Sequence, residues 1–512
     1  MRISTPQIQQ QGINTILDQQ AQLNKTQLQV STGRRVLSPQ DDPAAANRIL
    51  ELSQALAVIN QYQSNSDAAK ARLSLEESTL AGVVNLLQEV RSRAVQANVS
   101  TLSAVDRAAI ATEVRQRLGE LLSLANTQDG NGEYLFAGYK GQTQPFAANT
   151  SGGFDYNGDS GQRFLQVSAV RQVAVSDSGA EIFQAIRNGN GTFTTADNAA
   201  NTGSGIIDTG TVNGAFTSDT YTVILGHSTT VTGGAINLND TGVNDTLQYQ
   251  LRINGTLVYT GAEGSSRTQA QLAADINAQS GVTNVGAYVS GGVLYLANTT
   301  PNGAAITVTE TLTGASEDTD TVTGYFGSAL TGITTPSRTI SYNAAATGYV
   351  VLNSAGAVQT AGAYQSGAAI NFNGVQTSVS GAPNNGDRFT ISPSANQDVF
   401  SSVQNLAKAL EPGGGTAAHV NNVINRTLLD IDQALNNIVG AQAKVGARLN
   451  AVDSQKDLND TFALQTKETL SNVQDLDFAE AASRLNLQLT ALQAAQQAFI
   501  RVQGLSLFNF LK

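Results

Sequence analysis

The chain has 512 residues, of which 41% are hydrophobic and 13% charged, and its formal net charge is −11. That length is enough for several domains, and the acidic balance argues against nucleic acid and anionic membrane surfaces, both of which need a basic face. Cysteine is absent and the two histidines, His227 and His419, lie far apart, so disulfides, thiolate chemistry and Cys-based metal sites are excluded.

The N-terminus, Met1-Arg2-Ile3-Ser4-Thr5-Pro6, has no apolar h-region, so no cleaved secretory leader is expected. No apolar run approaches the roughly 20 residues of a membrane span. The chain is made of two materials. Residues 1–128 and about 416–512 are rich in Ala, Gln and Leu with helical periodicity, whereas about 130–395 is rich in Gly, Thr, Asn and Ser with short alternating stretches.

In the first segment Ile16, Leu23, Val30 and Leu37 recur every seven residues, with Ile13 three before Ile16. This is one narrow apolar stripe. Pro39 interrupts it, and Asp42 then serves as an N-cap with Pro43 at the first helical position. The next helix carries Leu52, Leu56, Ile59, Leu73, Leu80, Val84 and Leu87 around a polar middle of Gln63, Ser66 and Lys70. Ser103 with Asp106 reads as a capping box for a third helix through Ile110, Val114, Leu118 and Leu121. Asp129-Gly130-Asn131-Gly132 ends that helix.

In the middle, 164–167, 221–224, 247–253, 293–296 and 389–391 read as strands, with turns at Asn254-Gly255, Gly291-Gly292 and Asn373-Gly374. Helices are expected over Gln269–Gln279 and Asp398–Leu410, the second stopped by Pro412-Gly413-Gly414-Gly415. In the C-terminal part, Leu428, Leu435, Gln442 and Leu449 form one row, and Ile431, Ile438, Val445, Val452 and Asn459 a second. Together they make an a/d seam sustained over several heptads. The last segment has Phe478, Leu485, Leu492 and Phe499, flanked by Leu489 and Val502.

The expected fold is therefore α+β and multidomain: a long antiparallel helical coiled coil or bundle formed by both chain ends, with β-rich domains inserted in the middle. The expected layout is 1–38 and 477–512 as terminal assembly helices, and 39–130 and 416–476 as a helical bundle. An inner β-rich domain takes 131–199 and 341–415, and an inserted outer β-rich domain takes 200–340. A lone helix with one narrow stripe is marginal in water. The terminal stripes need each other or neighbouring chains. Their apolar residues, Ile13, Ile16, Leu23, Val30, Phe478, Leu485, Leu489, Leu492, Phe499 and Val502, are the candidate assembly interface. An intramolecular coiled-coil stalk without a polymer fits the same pattern.

Nothing in the sequence assembles a catalytic constellation, and no cofactor or metal site is expected. Asp240, Asp245, Glu317, Asp318 and Asp320 lie in polar loops, but their spacing matches no EF-hand and solvated carboxylates are the better reading. Gly189-Asn190-Gly191 and Gly413-Gly414-Gly415 lack the Lys-Ser/Thr of a phosphate-binding loop. His419 reads as a surface histidine. Arg34-Arg35 reads as a solvated turn or as facing an acidic partner.

Val30-Ser31-Thr32-Gly33-Arg34-Arg35, followed by Asp41-Asp42-Pro43, resembles the N-terminal signature of flagellins and hook–filament junction proteins. Leu476-Asp477-Phe478-Ala479-Glu480 and the residues up to Phe499 resemble the C-terminal side of that superfamily. Tyr134-Leu135-Phe136-Ala137-Gly138 with Pro145-Phe146, and the ending Gly504-Leu505-Ser506-Leu507-Phe508, are similar to the junction family, hook-associated protein 3. The resemblance implies a structural, non-enzymatic subunit secreted by the flagellar type III route and located at the hook–filament junction. It implies as partners a ring of identical subunits, the adjacent hook-associated protein, flagellin and an export chaperone. A filament flagellin, a surface adhesin with a coiled-coil stalk and an enzyme hidden in 200–340 are the alternatives.

Overall fold

The computed structural model describes residues 5–99, 101–150, 152–229, 234–235, 248–262, 265–300, 304–313, 321–326, 329–331, 338–341 and 345–504. Eight α-helices are seen among them: α1 (Thr5–Thr32), α2 (Pro43–Ala97), α3 (Ala104–Ala125), α4 (Gln269–Ala278), α5 (Ser280–Thr283), α6 (Val399–Leu410), α7 (Ala417–Gln474) and α8 (Phe478–Gly504). At 58 residues α7 is roughly 87 Å long. Strands fill the middle of the chain. The chain divides into two compact units. One comprises Met1–Ser74, Phe164–Val175 and Ala447–Lys512, and the other Leu75–Arg163 and Ser176–Gly446.

The helix starts follow local chemistry. Asp42 caps α2 by accepting the Ala45 N–H at 2.9 Å. Ser103 and Asp106 form the reciprocal capping box of α3, and Thr268 with Gln271 does the same for α4. Asp398 accepts the Ser401 N–H at 2.6 Å and opens α6. Each cap satisfies amides that the first helical turn leaves without partners.

In the first unit α1 packs against α8. The unit also holds the early part of α2, the late part of α7 and the hairpin of Phe164–Ser168 with Arg171–Ala174. Of the two heptad rows of α7, Ile431, Ile438, Val445, Val452 and Asn459 are the buried one. Asn459 is polar because the hairpin needs it there: its side-chain amide donates to the Val167 carbonyl at 3.0 Å. Asn65 of α2 likewise donates to the Gln166 carbonyl at 2.8 Å. The polar middle of α2 pairs with α7 through Lys70–Asp453 at 2.8 Å, and through Asp67 with Lys456.

The second unit contains the sheets. The largest has seven strands in the order Val285–Ser290, Val293–Asn298, Tyr221–Thr229, Gly348–Leu352 and Val358–Ala363. Arg388–Pro393 joins it, pairing with Tyr221–Thr229 on one side and Phe193–Asp197 on the other. Its core includes Phe193, Tyr221, Val223, Leu225, Val351, Phe389 and Ile391. A four-stranded sheet orders Thr256–Ala262, Gln248–Ile253, Thr307–Thr313 and Arg338–Ser341. With α4 it encloses a separate core around Tyr249, Leu251, Leu272, Ile276 and Val308. The Asn254-Gly255 hairpin turn has φ of +49° and +80°, the left-handed pair that favours Asn-Gly. Asp240, Asp245, Glu317, Asp318 and Asp320 lie outside the described residues.

A separate aromatic core in the second unit includes Phe400 of α6, which packs against α3. Phe146 lies 5.4 Å from Phe183 and 5.0 Å from Phe400 between ring centroids, and Phe136 lies 5.3 Å from Phe183. Phe136, Phe146, Phe183 and Phe400 are all fully buried. Cavities left by such residues do not collapse fully. Phe146→Ala should therefore destabilise the protein by about 3–5 kcal/mol. Chemical denaturation followed by tyrosine fluorescence checks this, and a loss below about 1 kcal/mol would refute the packing role.

Candidate assembly interface

The α1–α8 seam is thin. Ile16, Leu23 and Val30 of α1, and Leu485, Leu492 and Phe499 of α8, are half-buried. Ile13, Phe478 and Leu489 stay exposed, at 39%, 56% and 40%. Val502 sits in the last turn of α8, where side chains are outside the described ones. Gly12 admits the close approach, since a Cβ there would stand 2.9 Å from the Phe499 ring. The buried positions of α1 are polar: Thr26 is 3% and Gln29 6% exposed. The side-chain oxygens of Gln19 and Gln488 are buried without a hydrogen-bond partner. Each such orphaned oxygen costs about 1–3 kcal/mol. Neither helix has a second apolar row to offset this.

One end of the pair is fastened by backbone. The Arg35 N–H donates to the Gln474 carbonyl at 2.8 Å, and the Leu476 N–H to the Gly33 carbonyl at 3.0 Å. This short antiparallel bridge centres on Arg34 and Asp475. The Arg35 guanidinium adds a bond to the Val473 carbonyl at 2.8 Å, and Gln29 donates to the Arg35 carbonyl at 2.6 Å. Gly33 has φ of +68°, and a Cβ would lie 3.5 Å from the Phe478 ring. Glycine holds that left-handed conformation at no steric cost.

The motif residues after Gly33 finish the turn into α2. Asp41 accepts the Leu37 and Ser38 N–H groups at 3.1 and 3.0 Å and pairs with Lys25 at 2.7 Å. The Lys25 hydrogen bond, followed by the Ser38 amide, lowers the Asp41 pKa below its ordinary 3.8. Asp42 is also 3.8 Å from Arg35. Arg34 contributes its backbone to the bridge while its residue is exposed.

The second motif does different work. Tyr134 donates its N–H to the Gly141 carbonyl at 2.8 Å, and Phe136 and Phe146 enter the aromatic core. Pro145 is buried, and its carbonyl accepts the Asn157 N–H at 2.8 Å. Gly138 has φ of +68°, and a Cβ there would stand 2.2 Å from an Asp159 side-chain oxygen. That same oxygen accepts the Tyr139 and Gly161 N–H groups at 2.9 and 2.8 Å, which lowers the Asp159 pKa. These residues shape a loop core, with Phe136 and Phe146 fully buried. His419, expected on the surface, is 21% exposed at its side chain and bonds Asp197 at 2.8 Å. Sequence reasoning had no signal for that pair, 222 residues apart.

Exposed large apolar side chains gather on every helical segment of the first unit. They are Leu17 and Leu28 on α1, Leu50 and Val58 on α2, Leu458, Phe462 and Leu464 on α7, and Leu487 and Ile500 on α8. Among the described residues no helix is long and apolar enough to cross a membrane, and no group of three or more metal-ligating side chains is found.

Comparison with known proteins follows the same division of the chain. The profile of the bacterial flagellin N-terminal helical region matches residues 3–141, and that of the C-terminal helical region matches 428–511. Flagellar hook-associated protein 3 of Salmonella typhimurium is 41% identical over 186 residues, 36% of this chain. The match spans 58% of that relative's length. A crystal structure of FlgL from Xanthomonas campestris superposes with a TM-score of 0.56 at 26% identity, covering 82% of this chain and 99% of that one. Flagellar hook-associated protein 3 of Legionella pneumophila gives 0.55 at 28% identity, covering 83% and 98%. The chain is thus similar to the FlgL-type branch of the flagellin superfamily. Within that superfamily the helical ends are the matched part, and they carry both the seam and its backbone bridge. The β-rich middle from 142 to 427 lies between the two profile matches.

A pH experiment tests the turn that sets the seam. A carboxylate whose folded pKa is lowered adds stability that is complete above its unfolded value. That stability is lost as pH falls through the folded one. Hydrogen exchange of the 33–45 segment should therefore be slower in the native chain than in Asp41→Asn at neutral pH. The two should converge as the pH drops below 3.8. Equal exchange at neutral pH would remove Asp41 from this role.

Proposed function

We propose that this chain is a structural subunit of the bacterial flagellum that forms the junction between hook and filament. It is exported by the flagellar type III route with a dedicated chaperone and assembles as a ring of identical subunits. In the ring it contacts the adjacent hook-associated protein on one side and flagellin on the other. The observation that carries this reading is the set of exposed apolar side chains on all four helical segments of the first unit. Each of these segments leaves at least two large apolar side chains open to water, and the α1–α8 seam itself is only half-buried, so the unit has apolar surface that neighbouring subunits would cover. Similarity to flagellar hook-associated protein 3 and FlgL supports the junction over other flagellar positions.

In this reading the terminal helices are assembly elements and 39–130 with 416–476 a helical bundle. Residues 131–199 with 341–415 form an inner β-rich domain that takes in Tyr221–Thr229, which pairs with Gly348–Leu352 and Arg388–Pro393, and the remainder of 200–340 is an outer insertion facing solvent. Insertions at exposed loop tips leave the helical scaffold undisturbed. Arg34 is available to an acidic group of a neighbouring subunit.

Leu492→Asp places a charge in the α1–α8 seam without touching the β-rich middle. Its expected outcome is a chain with native sheet content that fails to enter the junction. Deleting the gene in the native host should leave flagellin secreted into the medium and absent from the hook. Full-length filaments in either strain would overturn the proposal.

A further inference from the structure

The second unit has a cavity of about 530 Å³ between α6, the glycine turn after it and the first turns of α7. Its lining includes Lys408, His419 and Arg426, from both helices. None of its described lining residues is a carboxylate. This is a local inversion of charge in a chain whose net charge is −11.

Neither long cation has a carboxylate within contact distance among the described residues, and Lys408 acts on Glu411 only through space. Among the described residues Arg426 makes no hydrogen bond or ion pair within contact distance, and acts on buried Asp430 only through space. The Lys408 ammonium has one hydrogen bond, to the neutral Gln404 amide at 3.2 Å. Lys408 is exposed, whereas Arg426 is half-buried, and a half-buried cation with no carboxylate in contact is costly unless something compensates it. Arg426 and Asn405 also line a second cavity of about 220 Å³, where the buried Thr194 hydroxyl has no partner. The cavity floor is held in place. His419 bonds buried Asp197 through Nδ1, and its ring packs on Gly415, where a Cβ would lie 2.6 Å away. Gly415 has φ of +117° and Gly413 φ of +87°, with open space where a Gly413 Cβ would stand.

We propose that this cavity binds a small multivalent oxyanion, a phosphate or a polycarboxylate, with Arg426 and Lys408 as its charge partners. The Arg426 guanidinium presents a planar fork suited to two oxygens at once, and Lys408 supplies a point charge. Asn405 offers an amide donor beside them. A volume of this size suits a ligand of a few to a dozen heavy atoms. The proposal does not depend on where in the flagellum the chain sits.

The test uses the full chain with inorganic phosphate and, separately, citrate, each against sodium chloride at equal ionic strength. Calorimetric titration should give saturable binding with at least one of the two anions and none with chloride. Hydrogen exchange of the native chain should slow in 405–426 when the site fills. Arg426→Gln and Lys408→Gln should each weaken binding about tenfold, the loss expected for one charge-assisted hydrogen bond. Asn405→Asp, nearly the same size, should abolish it. Circular dichroism confirms that each variant is folded, and the exchange experiment needs no variant. The proposal is overturned if neither anion exceeds chloride, if protection appears elsewhere than 405–426, or if the folded variants bind as tightly as the native chain.

Discussion

The seam between α1 and α8 is the constraint on which the remaining structure of the first unit depends. It is a contact between two helices that each offer one apolar row. Half-burial of Ile16, Leu23, Val30, Leu485, Leu492 and Phe499 yields only part of the roughly 1.5–3 kcal/mol that full burial of such a side chain gives. Against it stand Thr26 and Gln29 in the buried positions and the orphaned oxygens of Gln19 and Gln488. The bridge at Gly33–Arg35 and Gln474–Leu476 fixes the register at one end, where backbone hydrogen bonds supply direction that the weak seam cannot. The result is a pair of helices whose geometry is specified and whose stability is small.

The two motifs that resemble the flagellin superfamily serve separate physical ends. Gly33 through Pro43 turns the chain between α1 and α2 and ties that turn to the α7–α8 junction. Tyr134 through Phe146 builds a closed loop core, with Gly138 against Asp159 and two phenylalanines in the aromatic cluster. The first is a device for aligning the terminal helices, the second for packing the aromatic core of the second unit. The proposed assembly role draws on the first.

Much of the helical framework was legible because its determinants are local. Asp42 with Pro43, the Ser103/Asp106 box and Asp398 each announce a helix start within three residues. Asn254-Gly255 and Asn373-Gly374 announce tight turns by needing positive φ. The heptad rows of α7 were visible, but not which row would be buried, nor that Asn459 sits in it to hold a hairpin from residues 164–174. Strand partners were not legible at all. Tyr221–Thr229 pairs with residues near 295, 350 and 390, and pairing over such separations leaves no short-range trace. The five-residue π-helix at Ala180–Gln184, which brings Phe183 to Phe146, had no sequence signal either. Among the candidate interface residues, periodicity identified the stripe but could not separate the half-buried Ile16 from the exposed Ile13, because one turn of helix decides it.

Hydrogen exchange on the dilute, unassembled chain tests the weakness of the seam most directly. Amides of residues 5–32 and 478–504 should exchange orders of magnitude faster than those of the aromatic core around Phe136 and Phe146. Those terminal amides should become protected when the chain is incorporated into flagella. Protection of both terminal helices in the free chain equal to that of the core would contradict the account, since the seam would then be stable without neighbours.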